Sequence, residues 1–187
     1  GLHQAFERAQ SVGCEAMQVF VKSNRSWAVQ PLAEEEIARF KERAHETGIH
    51  PVVGHTSYLL NLGTPDEALW ARSRDALIVE LERCEALDVP YLVLHPGSHV
   101  GAGEEAGLAQ VAQGLTEVHA ATAGFHAQIL LESTAGQGTN LGYSFEHLAW
   151  LMEHTREGER LGACLDTCHV FAAGYELRTP EGYAATL

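Results

Sequence analysis

The chain is short of positive charge, of paired cysteines and of long apolar runs. Its 187 residues carry 12 Lys and Arg against 25 Asp and Glu, a formal net charge of −13. Nonspecific affinity for polyanions comes largely from clustered cations. A general nucleic-acid binder is therefore excluded, and any contact with a phosphate backbone must be local or assisted by a metal. The four cysteines, Cys14, Cys84, Cys164 and Cys168, are scattered with no C-x-x-C pair. That argues against a zinc ribbon or a disulfide framework and points to a reducing compartment, the cytoplasm. No apolar stretch approaches the ~18 residues of a membrane span, and no signal peptide is visible. The glycine-rich stretch Ala135-Gly136-Gln137-Gly138-Thr139-Asn140-Leu141-Gly142 has neither Walker A nor G-x-G-x-x-G spacing, so it reads as a long loop and not as a nucleotide cradle.

What is present is a repeated pattern. His55 in VVGHTSYLLNLG, His95 in YLVLHPGSH, Glu132 in ILLESTAGQG and Asp166 in ACLDTCH each close a short apolar run, at intervals of 40, 37 and 34 residues. Apolar runs separated by amphipathic stretches predict alternating strands and helices and a parallel sheet, here an α/β TIM (β/α)8 barrel, in which polar residues at the strand ends point into one crevice. The predicted order is helix 3–12, strand 16–22, helix 33–47, strand 50–55, helix 65–88, strand 91–95, helix 104–123, strand 127–132, helix 144–155, strand 161–166 and a short helical piece at 168–175. Thr64, Pro65 and Glu67 predict a capping box with Pro in the first turn. Gly48, Gly124 and Gly158 are expected near helix ends.

No linker or composition shift divides residues 1–187, and 45% hydrophobic content suffices for one core. We therefore expect one domain. A complete barrel of this type needs roughly 250 residues, and a helix precedes the first visible strand. The expectation is an internal piece of a barrel, short of the first strand and the last two.

Strand periodicity puts Val53 with His55, Val93 with His95, Leu130 with Glu132 and Cys164 with Asp166 on one face. A carboxylate closing an apolar strand is costly to bury unless it is paired or metal-bound, and imidazole with carboxylate suits zinc and related divalent ions. His169 lies three residues after Asp166, so the strand must end near Thr167 if both are to face the crevice. Otherwise His169 is a surface cap. His99 sits in a Pro-Gly turn and need not face a metal. Cys164 and Cys168 are expected to pack beside the site, and the other histidines to be solvated or at helix ends. Arg25, Tyr58 and Leu59 occupy loops at the same end of two strands. They read either as loop packing and a surface ion pair or as a cation, an aromatic and an aliphatic able to touch phosphates and wedge into a stacked duplex.

The blocks GHTSYLLNLG, LHPGSH, LESTAGQGTNLG and GACLDTCHVFAAGYELRTP resemble the endonuclease IV family of metal-dependent apurinic/apyrimidinic endonucleases, and the resemblance runs the length of the chain. It implies a DNA-repair enzyme of base excision repair, monomeric at full length, that hydrolyses the phosphodiester 5′ to an abasic site in double-stranded DNA. It also implies three zinc ions, with manganese as an alternative. By resemblance His55, His95 and Glu132 hold the first ion, and Glu132, the central catalytic residue, bridges to a second that takes Asp166. His169 belongs to a third, and Arg25, Tyr58 and Leu59 enter the minor groove around the flipped site. The resemblance places further ligands beyond Leu187, so residues 1–187 alone are expected to be inactive. Two other readings remain open: a metal-dependent sugar isomerase or epimerase on the same kind of barrel, and a DNA-binding piece without catalysis.

Overall fold

The computed structural model describes residues 1–187. The elements in chain order are α1 (Gln4–Ser11), β1 (Met17–Phe20), α2 (Glu34–Thr47), β2 (Val52–His55), α3 (Glu67–Leu87) and β3 (Tyr91–Leu94). They continue with α4 (Glu104–Ala121), β4 (Gln128–Glu132), α5 (Phe145–His154), β5 (Leu161–Cys164), α6 (Thr167–Ala172) and α7 (Pro180–Thr186), with a 3-10 turn over Gly158–Arg160 before β5. The five strands form one parallel sheet in the order β1-β2-β3-β4-β5. Sequential parallel neighbours joined by helices are the repeating unit of the barrel that the strand pattern predicts. No helix is long and apolar enough to cross a membrane.

Alternation along the strands separates two environments. Val52, Leu92, Leu94, Ile129 and Leu131 are buried against Phe40, Leu77, Leu81, Val111, Leu115 and Leu151 of the helices. Each such aliphatic side chain contributes about 1.5–3 kcal/mol by leaving water. The alternate residues Val53, Leu130 and Cys164 are half-buried on the opposite face, where the sheet ends carry His55 and Glu132. Register then decides which polar ends meet. Leu94 pairs with Leu131, so one further step brings His95 level with Glu132. His55 pairs with Val93, and Glu132 with Cys164.

Several local expectations need correction. The cap of α3 is Asp66, not Thr64: its carboxylate accepts from the N–H groups of Ala68 and Leu69, at 2.9 and 3.0 Å. An ionised cap facing the positive helix end is the stronger one. The Thr64 hydroxyl instead accepts from the Asp66 N–H, so Pro65 lies outside the helix. Gly48 closes α2 at φ 65° as expected, but beside Gly158 it is Glu157 that takes the left-handed conformation, at φ 60°. Strand β5 ends at Cys164, short of the predicted 166, because Asp166 turns to cap α6.

Candidate metal centre

Glu132 ends β4 at 5% exposure, and the other polar residues gather around its two oxygens. Oε2 lies 3.2 Å from His55 Nε2 and 3.1 Å from His95 Nε2. Oε1 lies 3.2 Å from His169 Nδ1. Two groups of donor atoms result, His55 with His95 and Glu132, and Glu132 with Asp166 and His169, each with its ligand atoms within 4.8 Å of one another. Glu132 belongs to both.

Neighbouring backbone sets the orientation of these side chains. His55 Nδ1 donates to the Thr56 carbonyl at 2.8 Å. In the neutral ring this leaves the Nε2 lone pair aimed at the Glu132 carboxylate, an arrangement that a cation between them satisfies and that a carbonyl partner of this kind commonly supports at metal sites, whereas in the charged ring Nε2 donates to that carboxylate. Asp166 caps α6 by accepting from the His169 N–H at 2.8 Å. This places His169 one helical turn inside α6 with its ring directed back over the sheet, where Nδ1 also lies 3.0 Å from the Ser133 carbonyl. The early end of β5 is therefore what lets His169 reach Glu132. Ser133 ties the two strand ends together: its N–H donates to the Cys164 carbonyl at 3.0 Å and its hydroxyl accepts from the Asp166 N–H at 3.0 Å.

Burial alone would raise the Glu132 pKa, but the hydrogen bonds from His55 and His95 outweigh it and hold the carboxyl down to about 2. Burial likewise works against a charged His55, yet the Glu132 and Thr56 hydrogen bonds raise its pKa above the ordinary value. The carboxylate is thus ionised at neutral pH and the imidazoles are drawn toward it. Imidazole and carboxylate donors around a shared carboxylate fit a divalent ion of the zinc type.

The loop after β2 lies against this cluster. Tyr58 is 63% exposed, with its ring centroid 5.3 Å from that of His55 and 6.0 Å from that of His95. Leu59 is half-buried beside it, and both line the cleft that His55 and His95 share with Asn61, Ser98 and Asn140. Arg25 is exposed and makes no ion pair, which removes the surface ion-pair reading for it.

The glycine-rich stretch is a loop as expected, and it is pinned to the turn after β3. The Leu141 N–H donates to the Gly97 carbonyl at 2.8 Å, and Ser98 bridges to Asn140. Gly97 is required there, since its φ is 118° and a Cβ would collide with Asn61 Oδ1. That oxygen accepts from the Ser98 N–H at 2.8 Å. His99 does turn away from the cluster, accepting from the Gly101 and Gly103 N–H groups. Cys164 is half-buried, whereas Cys168 is exposed and does not pack as expected. His119 and His147 are at helix ends but buried and not solvated.

Sequence reasoning missed Glu80 and Lys22. Glu80 is fully buried on α3, where both carboxylate oxygens accept from the Ser57 N–H at 3.2 Å. Lys22 Nζ lies 3.7 Å away. Burial pushes the Glu80 pKa up to about 7 against the pull of Ser57 and Lys22. A signal existed in the chain: Ser73, Leu77, Leu81, Cys84 and Leu87 form the buried stripe of α3, and Glu80 falls on that stripe.

The fold and the donor cluster place the chain among barrels that collect His, Asp and Glu at the strand ends. It belongs to the xylose isomerase-like TIM barrel family, whose profile matches residues 6–185. Among its relatives, the chain is 54% identical over 186 residues to "Probable endonuclease 4" of Chloroflexus aurantiacus, covering all of this chain and 65% of that protein. It is 41% identical over 183 residues to the protein of the same name from Geobacter sulfurreducens, covering 98% of this chain and 62% of that one. The solved structure of endonuclease IV from Thermus thermophilus superposes with a TM-score of 0.86 at 37% identity, covering 100% of this chain and 66% of that one. The sequence resemblance to endonuclease IV is borne out by these relatives. D-psicose 3-epimerase from Clostridium cellulolyticum shares the fold alone, with a TM-score of 0.73 at 15% identity over all of this chain and 65% of that one. The chain spans about 65% of the length of the Chloroflexus relative.

Proposed function

We propose that residues 1–187, as one domain, carry the metal-binding core of a DNA-repair endonuclease that hydrolyses the phosphodiester 5′ to abasic sites in double-stranded DNA. The protein acts as a monomer in the cytoplasm. The observation that carries this reading is the position of Glu132, shared by both donor groups, one of which includes the His55 that Tyr58 packs against, in a chain 54% identical to a protein named an endonuclease. His55, His95 and Glu132 would hold one zinc ion, and Asp166 and His169 would serve further ions together with Glu132, with manganese as a substitute. Zinc held there would supply Lewis acidity to phosphodiester hydrolysis.

The chain's own residues do the rest. Glu132 keeps its charge at neutral pH and spans the two donor groups, so it is the residue on which their spacing depends. The Thr56 carbonyl fixes the His55 ring, and Asp166 fixes His169 through its backbone. Arg25, unpaired and exposed, contacts a phosphate. Tyr58 and Leu59 occupy the gap that an abasic nucleotide leaves in the base stack, where the cost of unstacking is least. These loops give an acidic protein a local footing on DNA.

The test is a duplex oligonucleotide carrying one abasic analogue, incubated with zinc and the protein expressed from the complete reading frame. Expected is a single incision on the 5′ side of the lesion, with an undamaged duplex left intact. Zinc-loaded protein that leaves the lesion uncut, or that turns over a ketose instead, would overturn the reading.

A further inference from the structure

A buried polar arrangement outside the donor cluster lies between α3 and the two loops that carry Arg25, Tyr58 and Leu59. Glu80 and Lys22 have side chains 0% and 3% exposed. From Glu80 one connection runs to the Ser57 N–H, the first residue of the Tyr58 and Leu59 turn. A second runs to Lys22, whose ammonium donates to the carbonyls of Ser23 at 3.2 Å and Ser26 at 2.8 Å and so closes the short loop that holds Arg25. A third joins the loops directly, because the Ser57 hydroxyl donates to the Asn24 carbonyl at 3.1 Å and accepts from the Leu59 N–H at 3.3 Å. One turn along α3, Arg83 donates to the carbonyls of Val21 and Gln30, the two ends of the same segment.

Stability does not account for a buried pair at this position. Taking both charges out of water costs several kcal/mol per ion, and apolar side chains of similar volume are often as stable or more so. The rest of the α3 stripe is built of small polar and apolar residues. What the pair supplies is a fixed distance. A carboxylate and an ammonium with backbone partners on two different loops hold those loops in one relative placement, which an apolar contact, having no direction, does not do.

We propose that Glu80 and Lys22 are positioning residues that set the Arg25 loop against the Tyr58 and Leu59 turn. On the functional reading above, they thereby fix the spacing of a phosphate contact and a base-stack wedge across one abasic site. They touch neither substrate nor metal. The tie belongs to the fold, whereas its consequence for DNA rests on that reading.

The experiment compares the protein with the double variant Lys22→Met/Glu80→Leu, which removes both charges and leaves neither stranded, and with Glu80→Gln, which keeps an acceptor for Ser57. In the double variant unfolding should stay cooperative and bound zinc should stay as in the parent. Exchange of the Ser57 and Leu59 amides and trypsin cleavage after Arg25 should each rise at least tenfold, and affinity for a duplex with one abasic analogue should fall at least tenfold. Glu80→Gln should recover the Ser57 protection in part. Unchanged exchange and cleavage in a folded double variant would overturn the tie. Freed loops with unchanged DNA affinity would overturn its role in binding. A parent protein that binds no abasic duplex would defeat the endonuclease reading instead, while exchange and cleavage still decide the tie.

Discussion

Glu132 and Glu80 are both buried carboxylates in the same molecule, and their surroundings drive them in opposite directions. At the end of β4, two imidazoles hold Glu132 down to about 2. Inside the helical layer, burial drives Glu80 up to about 7, although an ammonium and a backbone N–H face it. The difference lies first in burial, which is deeper at Glu80, and then in how many hydrogen bonds reach the charge. Glu132 has three ring nitrogens at 3.1–3.2 Å, whereas Glu80 shares one N–H between two oxygens and meets its lysine only at 3.7 Å. A carboxylate kept fully ionised next to imidazoles suits a cation. One near its titration point, tied to two loops, suits a structural pin.

The comparison breaks most completely at Glu132. In the protein from the complete reading frame, Glu132→Gln should abolish incision and lower zinc affinity by more than the about 10- to 100-fold that loss of a supporting partner costs. Near-normal cleavage with full zinc content would remove Glu132 from its place in both donor groups. At Glu80, substitution by Ala strands the Lys22 charge and the Ser57 N–H in the interior. This should destabilise the fold by about 3–5 kcal/mol, as read by denaturant unfolding. A loss below about 1 kcal/mol would show that water reaches the pair.

pH should divide the two carboxylates more gently. The folded pKa of Glu80 is raised above its unfolded value of about 4.5, so the native state holds the extra proton between pH 4.5 and 7. Its contribution is full below that window and falls as pH rises through it. Glu132 has the opposite sign: its contribution is present above pH 4.5 and disappears as pH drops toward 2. Unfolding of the metal-free protein against Glu80→Gln should show a difference of a few kcal/mol at most across pH 4.5 to 7. A flat difference would mean that Glu80 is ionised throughout.

The smallest effects are expected at the loops that the pin holds. Tyr58→Ala and Arg25→Ala should each weaken abasic-duplex binding by about 1–3 kcal/mol, the scale of one stacked aromatic, with zinc content unchanged. Loss of zinc in either would make that residue part of the metal site's framework.

The order of strands and helices was legible because apolar runs and amphipathic stretches alternate, and because strand geometry leaves only two faces for a residue such as Glu132. The spacing of His55, His95, Glu132 and Asp166 at four strand ends marked them as neighbours before any coordinates. Helix boundaries were less legible where two caps compete. Thr64 with Glu67 and Asp66 with its own downstream N–H groups are both plausible in sequence, and only the geometry of the turn selects Asp66.

By itself, then, the chain determined the parallel βα order and the residues that converge, since both follow from local periodicity and covalent spacing. Tertiary structure alone decided the rest. Register set His95 level with Glu132, the early end of β5 swung His169 back over the sheet, and the packing of α3 brought Glu80 to Lys22 across 58 residues of sequence. Those placements depend on where the backbone of one element ends against another, and no local pattern carries that distance.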